Sequence, residues 1–248
     1  VHIADVSHYV TPDTPLDNEA YQRATSVYVV DRVVPMLPHA LSNVLCSLNP
    51  RVIRLTLTCK MIFDRQGTMT NYQIYPSYIR TIERMTYNNV NRILNKEPGI
   101  CSHYEHLGNI CYDMQELAAL LRHQREQSGA IDFDRSEAKV IVDKNGQVLD
   151  IKLRERGEAE RIIEDFMIKA NQCVAACMSG LHIPSLYRVH EQPNLKKMME
   201  FAKFTTNLGY PLKGSMAVVK PMVLQKILDQ SKAEPEHQVI SMMMLRSM

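Results

Sequence analysis

Residues 54–63, RLTLTCKMIF, and 68–79, TMTNYQIYPSYI, alternate polar and apolar side chains on either side of DRQG. Successive side chains of a strand point to opposite faces, so this pattern describes two strands, each with one apolar face, joined by a tight turn. A chain that carries such a hairpin must cover one of its faces with something else. A second hairpin is expected over 138–153, AKVIVDKNGQVLDIKL, where Asn145-Gly146 is a strong turn signal. Shorter strands are expected at 1–10, 26–30 and 185–191. Residues 32–50 read as a loop with one short helix, punctuated by Pro35, Pro38 and Pro50.

Helices supply the cover. The most regular is expected over 158–179, where Ile163, Met167, Ala170, Val174 and Cys177 recur at three- and four-residue steps and form a buried stripe. Glu164, Ile168, Asn171 and Ala175 form a neighbouring stripe, and Gly180 and Pro184 end the helix. Further helices are expected at 15–24, with Asp17 in its first turn, and at 86–95, 112–126, 194–207, 220–231 and 236–248. The helix at 112–126 stops before Gly129, and Pro221 and Pro235 stand near helix starts, where proline is tolerated. No internal repeat, low-complexity segment or linker interrupts the chain. The expected class is α+β: a single domain in which antiparallel hairpins or a mixed sheet pack against several helices.

The 248 residues are 45% hydrophobic, enough for a sizeable core. The net charge of +2 excludes a uniformly basic surface, so a nucleic-acid site here must be a local groove. No apolar run approaches the roughly 20 residues of a membrane span, and no basic-then-apolar signal segment opens the sequence. The six cysteines form no C-x-x-C pair in a chain too long to need a disulfide scaffold, which points to reduced thiols and a cytoplasmic location. Fifteen methionines and no tryptophan suggest a core filled by adaptable thioethers.

The chemistry-bearing motifs are few. Phosphate-binding glycine loops and a G-x-S-x-G elbow are absent. Cys101, His103, His106 and Cys111 are the one metal-like grouping, but their spacing fits no zinc pattern, and 101–111 reads as a polar loop between helices. Glu164-Asp165 is an adjacent acidic pair whose members face different ways on a helix, and by itself it reads as a solvated shoulder. Tyr28, Tyr87 and Phe133, taken singly, read as core aromatics.

Several stretches together carry more. VHIADVSHYV (1–10), LDNEAYQRATSVYVVDRVVPMLPHALSNVLCSLNP (16–50), REQSGAIDFD (125–134), IIEDFMIKAN (162–171), LYRVHEQP (186–193) and MMMLRSM (242–248) occur in this order. They closely resemble the RNB catalytic domain of the RNase II/RNase R exoribonucleases, with the bacterial RNase R pattern nearer. Only 97–115 and Ser185 depart from that pattern. The resemblance implies that residues 1–248 are the central portion of an RNB domain. The aspartate cluster that carries most of the catalytic Mg²⁺ ligands, the C-terminal arginine motif and the cold-shock and S1 domains are then expected outside the chain. It also implies 3′→5′ hydrolysis of single-stranded RNA to nucleoside 5′-monophosphates by Mg²⁺-assisted attack of water, the strand reaching the site through a channel. On this expectation the 248 residues alone are inactive, and no catalytic residue lies within them.

The same resemblance assigns RNA-binding roles. Tyr28 and Phe133 match the aromatics that clamp the last stacked bases, and Tyr87 matches a tyrosine near the terminal nucleotide. Glu164 matches a glutamate at the terminal ribose, and Asn171 shares its helix face. Stacking tolerates any base, and a carboxylate with a phenol can read a 2′-hydroxyl. Asp5 either supports the metal site or only satisfies backbone groups. A second reading stays open: a degenerate RNB homologue that binds RNA or a partner without cutting.

Overall fold

The computed structural model describes residues 1–131, 133, 137–154, 156–189, 193–212, 214 and 219–248. They form an α+β fold whose named strand ladders are all antiparallel. Two compact units divide the chain: 1–119 with 136–183, and 120–135 with 184–248.

In the first unit, β1 (His2–Ala4), β4 (Ile53–Phe63) and β5 (Met69–Arg80) make a three-stranded sheet in the order β1-β4-β5. β2 (Val27–Tyr28) pairs with β3 (Val33–Val34), and β6 (Glu137–Val142) with β7 (Val148–Arg154). The two long hairpins share one turn chemistry. Asp64 Oδ1 accepts from the amides of Gln66 and Thr68, and Asp143 Oδ1 from those of Asn145 and Gln147. Gly67 and Gly146 take the left-handed conformation, each beside a register shift in its ladder. Asn145 does not share the positive φ, so the second turn is not the two-residue Asn-Gly type. It is a four-residue turn closed by a bulge.

The expected strand at 1–10 ends at Ala4, because Asp5 opens a tight helical turn over Val6–His8 and accepts from Ser7 Oγ at 2.7 Å. Short polar side chains offer the backbone such local alternatives to a ladder. Of 26–30 only Val27 and Tyr28 are paired, and their partner β3 lies within the stretch expected to be loop. The short helix there is a wide turn, Ala40–Leu45, closed by Cys46 N–H donating to Leu41 O. Residues 185–189 form no strand, and 190–191 of that expected element lie outside the described residues.

Helices α1 (Pro15–Arg23) and α2 (Tyr87–Leu94) fall where expected, α3 (Pro98–His103) is an additional helix, α4 (Glu105–Gln127) starts seven residues before the expected 112, and α5 (Glu158–Gly180) again falls where expected. Segment 101–111, expected as a loop, is helical on both sides of Tyr104. Pro98 starts α3, and Cys101 Sγ and Tyr112 Oη both reach the carbonyl of buried Ile93. Weak helix formers (Gly108, Asn109, His106) hide this from the sequence. α4 ends in a Schellman motif: Gly129, with φ of 87°, donates to Glu126 O, and Ala130 N–H donates to Arg125 O.

The second unit packs α6 (Leu195–Asn207), α7 (Pro221–Ser231) and α8 (His237–Ser247) around Met198, Phe201, Leu224, Ile227, Leu228, Ile240 and Met244. Two methionines among these seven fit the expected thioether-rich core.

Candidate nucleotide-binding cleft

A cleft of about 640 Å³ opens in the first unit between the start of α2, the first half of α4 and the first turns of α5. Its lining is mainly apolar: Val90, Leu107, Ile110, Met114, Ile162 and Ile163 among others, with Arg84 and Tyr87 at hand. Thr86 fixes where α2 begins, its Oγ1 accepting from Asn89 N–H at 3.2 Å. Tyr87 is therefore the first helical residue, 43% exposed and facing the cleft.

Asn91, one turn further along α2, sets the position of α5. Its Oδ1 accepts from Ala159 N–H at 2.8 Å, and its Nδ2 donates to Glu160 Oε2 at 3.1 Å. The side chain thus caps a helix that its own N-cap residue, Gly157, cannot cap. A Cβ on Gly157 would lie 2.3 Å from Asn91 Nδ2, so only glycine leaves room for this contact. The backbone of Gly157, with φ of −79°, does not itself require glycine. Gly157→Ala is expected to cost about 2 kcal/mol, the loss of a cap plus a displaced amide. It should cost almost nothing further in an Asn91→Ala background, as urea unfolding of the four-member cycle would show.

The buried side of α5 is Ala159, Ile162, Asp165, Ala170 and Cys173. This lies about one residue round from the expected stripe, which placed Ile163 inside. Ile163 is 41% exposed and lines the cleft. The helix is apolar over a wide arc, so periodicity alone could not choose between wall of the cleft and core. Glu164 is exposed beside Ile163, and Arg156 Nη2 donates to its Oε2 at 2.7 Å. Asn171 is exposed two turns on, about 10 Å along the axis.

Tyr87 and Ile163, the residue before Glu164, thus border one cleft. Tyr28 stands on the β2–β3 hairpin with 78% exposure, more than a core aromatic would have. Phe133 belongs to the second unit, where it packs half-buried against the core cluster. Asp5 donates its backbone N–H to Leu55 O, and its carboxylate is held by Ser7. Sequence reasoning missed Asn91, Arg156 and Gly157. The one legible signal was a glycine directly before an acidic helix start.

The described residues do not fit a magnesium site: among them no three His, Cys, Asp or Glu side chains come together as a metal would require. In the Cys101–Cys111 grouping, His103 and His106 are exposed while Cys111 is buried, and the four form no metal-holding group. Neither Cys46 nor Cys173 is an activated thiol. Burial, with Cys59 alongside, pushes Cys173 up to about 11, and burial followed by the charge of Asp5 raises Cys46. No helix among the described residues is long and apolar enough to cross a membrane.

Comparison with known proteins agrees with this architecture. The RNB domain model matches residues 1–248. Ribonuclease R 1 of Lactococcus lactis is 47% identical over the whole chain, which covers 30% of that protein. Ribonuclease R of Thermotoga maritima is 43% identical over the whole chain, which covers 35% of it. The chain thus spans about a third of the length of these relatives. Mycoplasma genitalium RNase R, solved in complex with ribose-methylated single-stranded RNA, superposes with a TM-score of 0.93 at 32% identity, over 99% of this chain and 38% of that one. A domain match that runs from the first residue to the last, on a fold this similar, settles the family: the chain belongs to the RNB domain family and is similar there to bacterial ribonucleases R.

Proposed function

We propose that this chain is the RNA-holding part of an exoribonuclease that removes nucleotides from the 3′ end of single-stranded RNA, releasing nucleoside 5′-monophosphates. The observation that carries the reading is the whole-chain match to a ribonuclease R fold solved with single-stranded RNA. The cleft supports it: an apolar wall suits bases, and Tyr87 at its edge brings a hydroxyl. In this reading Tyr28 and Phe133 stack the last bases, Tyr87 and Glu164 read the terminal sugar, and Asn171 extends that face. Net charge near zero accords with a local channel rather than a basic surface. The described residues hold no metal cluster, so the Mg²⁺ that the family resemblance implies is assigned to residues outside them, and the 248 residues alone are expected to be inactive. A cytoplasmic location fits the same role.

The test uses the full-length protein that carries this segment. 5′-Labelled single-stranded RNA and the matching DNA are incubated with it in Mg²⁺, and the products are resolved by length. A ladder shortening from the 3′ end on RNA only is the expected result. Intact RNA from a preparation shown to bind it would replace this reading with that of a non-cutting homologue.

A further inference from the structure

We propose that Arg156 is the positioning residue for Glu164, so that preference for a 3′-terminal ribose depends on a side chain that never meets the sugar; this rests on the reading of Glu164 given above. Glu164 projects from an exposed helix shoulder, where a free glutamate samples many rotamers. A carboxylate that must accept from one hydroxyl needs to be held first. The guanidinium of Arg156 supplies that hold through Nη2 and Oε2 at 2.7 Å. The contact engages Oε2, so Oε1 can accept from a hydroxyl while the carboxylate charge stays paired.

The pair does not follow ordinary helix spacing. Arg156 precedes the helix, and Glu164 lies about 10 Å further along its axis, beyond the reach of i,i+4 neighbours. What makes the reach dependable is the anchoring of Gly157 against Asn91, which fixes the backbone next to Arg156. The other acid on this side, Glu160, is occupied by Asn91 Nδ2. The arginine side chain is 29% exposed, less than the 43% of its partner, so it is the better immobilised of the two. A planar guanidinium suits this task better than an ammonium, whose single charge fixes distance but not orientation.

A partly exposed ion pair contributes little to stability, so Arg156→Gln is expected to fold. The measurement is kcat and KM of the full-length protein on an oligoribonucleotide and on the same oligonucleotide with one 2′-deoxy sugar at its 3′ end. Glu164→Gln, Arg156→Gln and the double variant are compared with the parent. Arg156→Gln should lower the ribose/deoxyribose ratio of kcat/KM about tenfold, mainly through the ribose-ended substrate. It should do nothing more once Glu164 is already Gln, and Arg156→Lys should recover part of the ratio. Equal losses on both substrates, or a further loss in the Glu164→Gln background, would overturn the positioning role. If Glu164→Gln itself leaves the ratio unchanged, the reading of Glu164 fails, an outcome distinct from failure of Arg156 alone. Should Arg156→Gln not fold, Arg156→Lys carries the test: a ratio equal to the parent's, or a loss shared by both substrates, overturns the proposal.

Discussion

Tyr87→Ala combined with Glu164→Ala is expected to reduce the preference for RNA over DNA by roughly a hundredfold, about 2.7 kcal/mol, in the full-length protein. The figure follows from the chemistry of a 2′-hydroxyl, which both donates and accepts. A site with partners for it disfavours a sugar that lacks it, because those partners then lose their hydrogen bonds. In the proposed reading a phenol at the cleft and a carboxylate on the adjoining helix shoulder are those partners. Removing both makes the two sugars nearly equivalent, so cleavage of RNA should fall while cleavage of DNA stays the same or rises. The quantity to compare is kcat/KM on matched single strands. An unchanged ratio would remove both residues from sugar reading, whatever happened to the absolute rates.

Phe201→Ala is expected to cost 3–5 kcal/mol, the range for a fully buried aromatic truncated to a methyl group. Phe201 is 0% exposed at the centre of the cluster formed by α6, α7 and α8. A second unit of modest size has few other large side chains with which to refill the space. For a chain of this length the loss corresponds to a fall in Tm of roughly 6–20 °C, readable by circular dichroism. Phe133 packs against the same cluster, so its placement depends on that core. A fall of less than 2 °C would mean that the cluster collapses around the deletion and is not the unit's main support.

Much of the fold could be read from local pattern. The long hairpins, the helix starts at Pro15, Asn194 and Pro221, and the stop at Gly129 all follow from period, caps and turn residues, which act over a few positions. The candidate RNA contacts became legible only through ordered motifs resembling the RNB family, because an isolated tyrosine or glutamate carries no local signature of a ligand. The helices over 98–103 and 105–111 were missed for the opposite reason. Their composition argues weakly for helix, and packing around Ile93 decides the matter.

Alternation along β4 and β5 determined by itself that a two-faced hairpin would form; it could not determine which face would be covered. Thr56 and Thr58 are buried, joined through Ser77 and His2 in a chain of hydrogen bonds, while Leu57 is 46% and Ile53 62% exposed. A buried hydroxyl is tolerable only when it is partnered, and here the partners come from both facing strands, Ser77 across the hairpin and His2 on β1, far away in sequence. The same holds at α5, where one residue's rotation separates core from cleft and Asn91 caps a helix that begins far along the chain. Period and propensity are properties of neighbours in sequence. Burial of a face, capping in trans and the pairing of Arg156 with Glu164 depend on what the folded chain brings alongside, so only the tertiary structure could decide them.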